Sequence, residues 1–246
     1  MVRFLFKLIA WLALVGFSWL IVENSLPYLS ANNRISFLEE RPWLAANTIW
    51  RATLGMHVAG GIVCILSSLL QFHRPLLRRL PSLHRYLGRA YTISVIGILC
   101  PTGFYLSFFA KGGAAGVAGF LLLGVLTFGT TLRGWLCMRR GQTRDHIIWM
   151  IRSFAMITTA ITFRIYNIGL YELGMDEDAI YNVALYLSLA GNAAVAEGLI
   201  LRMKLRFHSE RTSKTQTSND THNEKQIPDR VLTPVQLRHS YRRAGG

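Results

Sequence analysis

Acidic side chains are scarce in this chain of 246 residues: 13 Asp and Glu stand against 27 Lys and Arg, for a formal net charge of +14. Charge of either sign is thin, with 16% charged residues against 51% apolar. Soluble domains carry about a quarter charged residues, so this balance excludes that class and places the chain among membrane proteins. Cysteine is nearly absent as well. Cys64, Cys100 and Cys137 have no paired spacing, which excludes a disulfide framework and a thiolate metal site and leaves them as small core residues. The sequence has no Walker loop, no Rossmann glycine pattern, no His-Glu-x-x-His and no Gly-x-Ser-x-Gly. Its basic excess does not point to nucleic acid, because it falls between apolar segments and in the tail, where it orients helices in a membrane.

What the chain does have is long apolar runs. A spanning helix needs roughly 20 mostly apolar residues, and six stretches qualify: 4–22, 51–72, 87–109, 114–136, 147–170 and 179–201. The expected fold is all-α, a polytopic transmembrane helix bundle of six spans. The first run, within 1–22, reads as a retained anchor, since it is longer than the apolar region of a secretory signal. Lys and Arg collect in 73–85, 139–144 and 202–206, whereas the alternate connections hold Glu39, Glu40, Glu172, Asp176, Glu177 and Asp178. By the positive-inside rule both chain ends face the cytoplasm. This divides the sequence into an anchor (1–22), an outer loop (23–50), a core bundle (51–206) and a basic tail (207–246) too polar to bury the surface that ordering requires.

Ionisable groups inside spans are costly and mark candidate sites. On the second span His57, Gly61, Cys64, Ser68 and Gln71 recur at helical spacing, a polar or small stripe built to meet other helices. Small-residue packing explains Gly61 and Ser68 but not His57. The fifth span runs from His146 to Arg164 along one face, with Arg152 on another side, placed at a similar depth to Glu197 of the sixth span. A structural ion pair is one reading of Arg152 and Glu197; snorkelling is the other. His84 and His146 begin the third and fifth spans on the same side of the membrane, and matched depth is what bis-histidine ligation of a haem iron asks of a helix bundle. Two interfacial histidines flanking basic loops would look the same. At the other side His57 has no histidine partner at its depth, and Arg164 is the polar residue there; the two together could hold a quinone or a carboxylate.

The motifs Met56 to Gly61, Gln71, His84 to Tyr91, His146 to Ala155 and Thr162 to Arg164 together resemble the bacterial membrane-protein family known as domain of unknown function 2306, with Ile147 where the family pattern has arginine. That likeness implies a multi-span protein, of bacterial inner membrane, and no particular activity. More distantly, histidines at the ends of successive spans are similar to those of transmembrane di-haem b-type cytochromes. Residue by residue, that second likeness implies one complete ligand pair, His84 and His146; His57 lacks its partner because the fourth span has no histidine.

Three functions are therefore expected alternatives. One is a haem b protein linked to quinone, with His84 and His146 as ligands, Arg152 or nearby cytoplasmic-loop arginines on the propionates, Gln71 and Glu197 as supporting or ion-pair partners, and His57 with Arg164 as an outer quinone or reductant site. The second is a small-solute transporter or binding protein contacted by His57, Arg164 and Glu197. The third is an accessory structural protein whose buried polar groups satisfy one another.

Overall fold

The structure is a computed structural model that describes residues 2–29, 41–71 and 79–225. Glu39 and Glu40, the basic run from His73 to Arg78 and the tail beyond Lys225 lie outside the described residues. All regular structure among these residues is helical. Six helices among them are long and apolar enough to cross a membrane: α1 (Val2–Ser25), α2 (Thr48–Gln71), α3 (Pro81–Ser107), α4 (Gly113–Arg139), α5 (Thr143–Glu172) and α6 (Glu177–Lys225). The six-span, all-α architecture legible in the sequence is the architecture observed.

Boundaries differ where local chemistry extends a helix past its apolar run. α3 starts at Pro81 because proline is accepted in a first turn, where its missing N–H has no intrahelical partner to lose. His84 and Arg85 are thereby helical, not in a loop. α4 begins after Gly112, whose φ of 86° needs a residue without Cβ. Asn182 of α6 packs on that turn and donates through Nδ2 to the Gly112 carbonyl at 3.0 Å. The last helix continues to Lys225, past residue 207 where the composition turns polar.

Within α3 the helix widens to a π-turn over Val95–Leu99. Pro101 is the physical cause: it has no N–H for the carbonyl four residues back, and its ring clashes there. The ladder relaxes so that the Cys100 N–H reaches the Val95 carbonyl.

The chain forms two compact units, Met1–Gly198 and Leu199–Gly246. In the first, Ile21 of α1, Cys64 and Ile65 of α2, Tyr91, Val95 and Cys100 of α3, and Ile157 and Ile161 of α5 make one core. Where the connection re-enters α2, Leu44 and Trp50 are buried against Leu54, Tyr105, Leu106 and Phe109, which fixes the segment to the ends of α2 and α3. Ile93, Val125, Ile168 and Val195 are exposed, as expected of faces solvated by lipid. Because lipid is as apolar as leucine, burying apolar surface does little to hold such helices together, and close packing and polar contacts take over.

Candidate functional site

The polar stripe of α2 is the seam between α2 and α3. His57 Nδ1 lies 3.1 Å from the Leu99 carbonyl and 3.0 Å from Thr102 Oγ1. A carbonyl only accepts, so Nδ1 carries the hydrogen, and the Thr102 hydroxyl is already donating to the Ile98 carbonyl at 2.6 Å. Leu99 is the last residue of the π-turn. Further along, Ser94 Oγ donates to the Gly60 carbonyl at 3.0 Å, and Gln71 Nε2 donates to the His84 carbonyl at 2.7 Å. Pairing 57 with 99, 60 with 94 and 71 with 84 is the register of two antiparallel helices.

α5 lies beside α3, α4 and α6, and a chain of buried hydroxyls sets its register with the first two. Tyr91 of α3 is 2.7 Å from Ser153 of α5, and Ser153 is 2.6 Å from Thr131 of α4. Thr131 donates in turn to the Thr127 carbonyl at 2.7 Å. One direction satisfies every donor: Tyr91 to Ser153, Ser153 to Thr131, Thr131 to the carbonyl. All three side chains are buried, so each unmade bond would leave a desolvated hydroxyl.

This contact decides where the two histidines stand. His84 and Tyr91 are seven residues apart on α3, and His146 and Ser153 are seven apart on α5. Seven residues are two turns, about 10 Å along the axis, and return to the same face. The helices run parallel, so fixing Tyr91 on Ser153 brings His84 and His146 to one level on facing surfaces, within electrostatic reach of each other. His146 Nδ1 donates to the Gly134 carbonyl of α4 at 2.8 Å, which leaves Nε2 with the lone pair. His84 Nδ1 is buried with no hydrogen-bond partner among the described residues. A Cβ on Gly134 would stand 2.8 Å from Met150 Sδ, so a larger residue there has to displace that side chain. One turn above His84, a Cβ on Gly88 would come within 3.3 Å of Gln71 Nε2.

The remaining candidates separate. Arg152 and Glu197 come together as a two-pronged pair, Nε to Oε1 at 2.6 Å and Nη2 to Oε2 at 3.0 Å, with the Arg152 guanidinium 4.5 Å above the Trp149 ring. Arg133 of α4 stacks on the same ring at 5.4 Å. Nothing joins His57 and Arg164 among the described residues: Arg164 Nη1 donates to the Ala160 carbonyl at 2.7 Å, and its charge is felt by Tyr28 and Tyr181 instead. Among the described residues no three His, Cys, Asp or Glu side chains gather where an ion could be held.

Residues that sequence reasoning passes over are Tyr91, Thr131, Gly134 and Arg133. The first has a readable signal, since the seven-residue spacing of His84 with Tyr91 repeats in that of His146 with Ser153. Gly134 has none, because the carbonyl it lends to His146 belongs to the backbone.

No curated protein and no solved structure matches the chain. Residues 54–200, more than half of its length and reaching beyond the motifs that carry the likeness, match the family described as predicted membrane protein (DUF2306), and the chain belongs to that family.

Proposed function

We propose that this protein is a membrane redox protein that holds one haem b between His84 and His146 and exchanges electrons with a membrane quinone. The observation that carries the reading is the shared seven-residue register, which sets two imidazoles level on parallel helices. The residues fit the group in two further respects. His146 has its Nδ1–H anchored on a backbone carbonyl, the arrangement that fixes ring orientation and raises basicity in a ligating histidine. His84 has a buried ring nitrogen that nothing among the described residues satisfies, a costly condition unless something else occupies the space beside it.

Haem, when bound, supplies one-electron chemistry at its iron. The chain's part is to hold, orient and screen. The Tyr91–Ser153–Thr131 chain closes the bundle two turns further in. Arg133, one residue before the carbonyl that anchors His146, is the cation we assign to an acidic substituent of the ligand. Arg152 is already committed to Glu197. We place this end of the bundle on the cytoplasmic side, on the strength of the basic 139–144 and 202–206 segments, and assign the membrane as bacterial inner membrane on the family likeness alone.

A reduced-minus-oxidised visible spectrum of the purified protein, expressed with adequate haem, tests the reading. A b-type signal that disappears in both His84→Ala and His146→Ala supports it. A colourless wild type rejects it.

The Arg152–Glu197 pair favours a second reading, an accessory protein whose polar groups serve helix register. On that reading the swapped pair Arg152→Glu with Glu197→Arg recovers the stability that either single change loses, and no pigment is found. A solute path needs His57, Arg164 and Glu197 along one cavity, and their separate partners give that alternative no support.

A further inference from the structure

The helical ladders of α3 and α5 are both interrupted, and at one level. The Tyr91–Ser153 contact joins positions 62 apart, so the π-turn at Val95–Leu99 of α3 stands beside residues 157–161 of α5. In that window the backbone of α5 departs from the helix at Thr158, where ψ is −8° against about −42° in an α-helix. A side chain is the cause. Thr158 Oγ1 donates to the Ala155 carbonyl at 2.8 Å, the acceptor that the N–H four residues on would take. α4, by contrast, runs unbroken from Gly113 to Arg139.

Each helix changes partners at its interruption. On the histidine side α3, α4 and α5 are joined by the Tyr91–Ser153–Thr131 chain and by His146 on Gly134. On the far side α3 goes with α2, through His57 on the Leu99 carbonyl and Thr102. There α5 goes with α6, whose Asn192 Nδ2 donates to Thr159 at 3.2 Å and to Thr162 at 3.0 Å. α6 is tied in turn to the start of α4, by Asn182 on the Gly112 carbonyl and by the Tyr186 hydroxyl on the Ala115 carbonyl at 2.9 Å. Where the two groups meet, between α3 and α4, the Phe104 ring lies against Gly124, so close that a Cβ there would stand 2.7 Å from it. Beside it the Cys100 thiol is 3.9 Å from the Gly124 carbonyl. Lipid solvates apolar surface as well as protein does, so parting this contact costs little beside parting the polar ones. α2 can follow its partner, since Ser94 on the Gly60 carbonyl sets Gly60 and Gly61 near the same level, and small residues of this kind are where helices bend.

We propose that this level is a hinge: the far halves of α2 and α3 swing as a pair away from α4, α5 and α6, opening a cleft to the membrane between Phe104 and Gly124 while the histidine end stays clamped. A few residues that absorb the change in φ and ψ are enough for such a motion, and the π-turn supplies them in α3. The inference does not depend on haem.

The native cysteines report on it. Cys100 is buried against the proposed cleft, Cys64 is buried one turn to the histidine side of Gly60, and Cys137 is half-buried near the end of α4. The full-length protein in detergent is exposed to N-ethylmaleimide, and the labelling of each thiol is followed by mass spectrometry relative to its own rate in the denatured protein. Cys137 should react first. Cys100 should react at least about tenfold faster than Cys64, because a local opening needs less free energy than the wider unfolding that uncovers Cys64. Gly124→Ala, which wedges against Phe104, should raise the Cys100 rate and leave that of Cys64 unchanged; a variant that merely loosened the fold would raise both. Equal protection of Cys100 and Cys64 in the wild type, or a parallel rise of the two in Gly124→Ala, overturns the proposal. The wild-type comparison decides the matter by itself should the variant not fold.

Discussion

The two histidine regions of this bundle use the same side chain in opposite ways. At His57 the ring nitrogen meets the carbonyl of Leu99, at the end of the π-turn, and a threonine hydroxyl, and both come from the helix it packs against. At the other region His146 is anchored from behind by Gly134, while His84 keeps a buried nitrogen without a partner among the described residues. A histidine in a membrane span is therefore a packing device where neighbouring backbone satisfies it, and a ligand candidate where the surroundings leave a nitrogen over. Position along the span does not separate the two cases; the hydrogen-bond partners do.

The largest effect expected from breaking this contrast is on pigment. His84→Ala and His146→Ala should each abolish a b-type difference spectrum, while His57→Ala leaves it intact. A spectrum that survives in either of the first two, or vanishes in the third, removes the distinction. Next comes Gly134→Leu, which drives a side chain into Met150 and pushes away the carbonyl that anchors His146. Overpacking of that kind costs about 1–3 kcal/mol, seen as a lower midpoint of denaturant unfolding, and any pigment should be lost before the fold is.

His57→Leu should lower stability by about 1–3 kcal/mol, because Thr102 and the Leu99 carbonyl lose their cross-helix partner. Pairing it with Pro101→Ala sharpens the comparison: both changes act on the seam between α2 and α3, and the stability of the double variant should depart from the sum of the single changes. Smallest is Tyr91→Phe, about 1 kcal/mol, since Ser153 still donates to Thr131 and only one bond of the chain is gone. Its value is as a register test: it should loosen the level pairing of His84 and His146, read as a broadened or shifted haem band with the protein still folded.

Much of this architecture is legible in the sequence, for reasons that particular residues show. The six apolar runs locate the helices because length and hydropathy are properties of the chain itself. The stripe from His57 to Gln71 faces another helix because a 3.6-residue period returns those positions to one side. Arg152 and Glu197 lie at one depth by counting from the ends of their spans, and they meet. Counting fails for Arg164, which depth matches to His57 but which is bound to Ala160 beside two tyrosines. Depth restricts a residue to a slice of the bilayer and says nothing of its azimuth around the bundle.

The sequence by itself determined the class of this protein and the number of its spans, because these follow from hydropathy along one covalent chain, and its motifs carry the family to which it belongs. Only the tertiary structure decided which polar groups satisfy each other. The carbonyls of Leu99 and Gly134 carry no side-chain signature, and the hydroxyls of Tyr91, Ser153 and Thr131 sit in apolar runs where nothing local marks them. Their partners are chosen by how helices turn about their axes and how closely a glycine lets them approach, and that choice is made by packing between segments far apart in the chain.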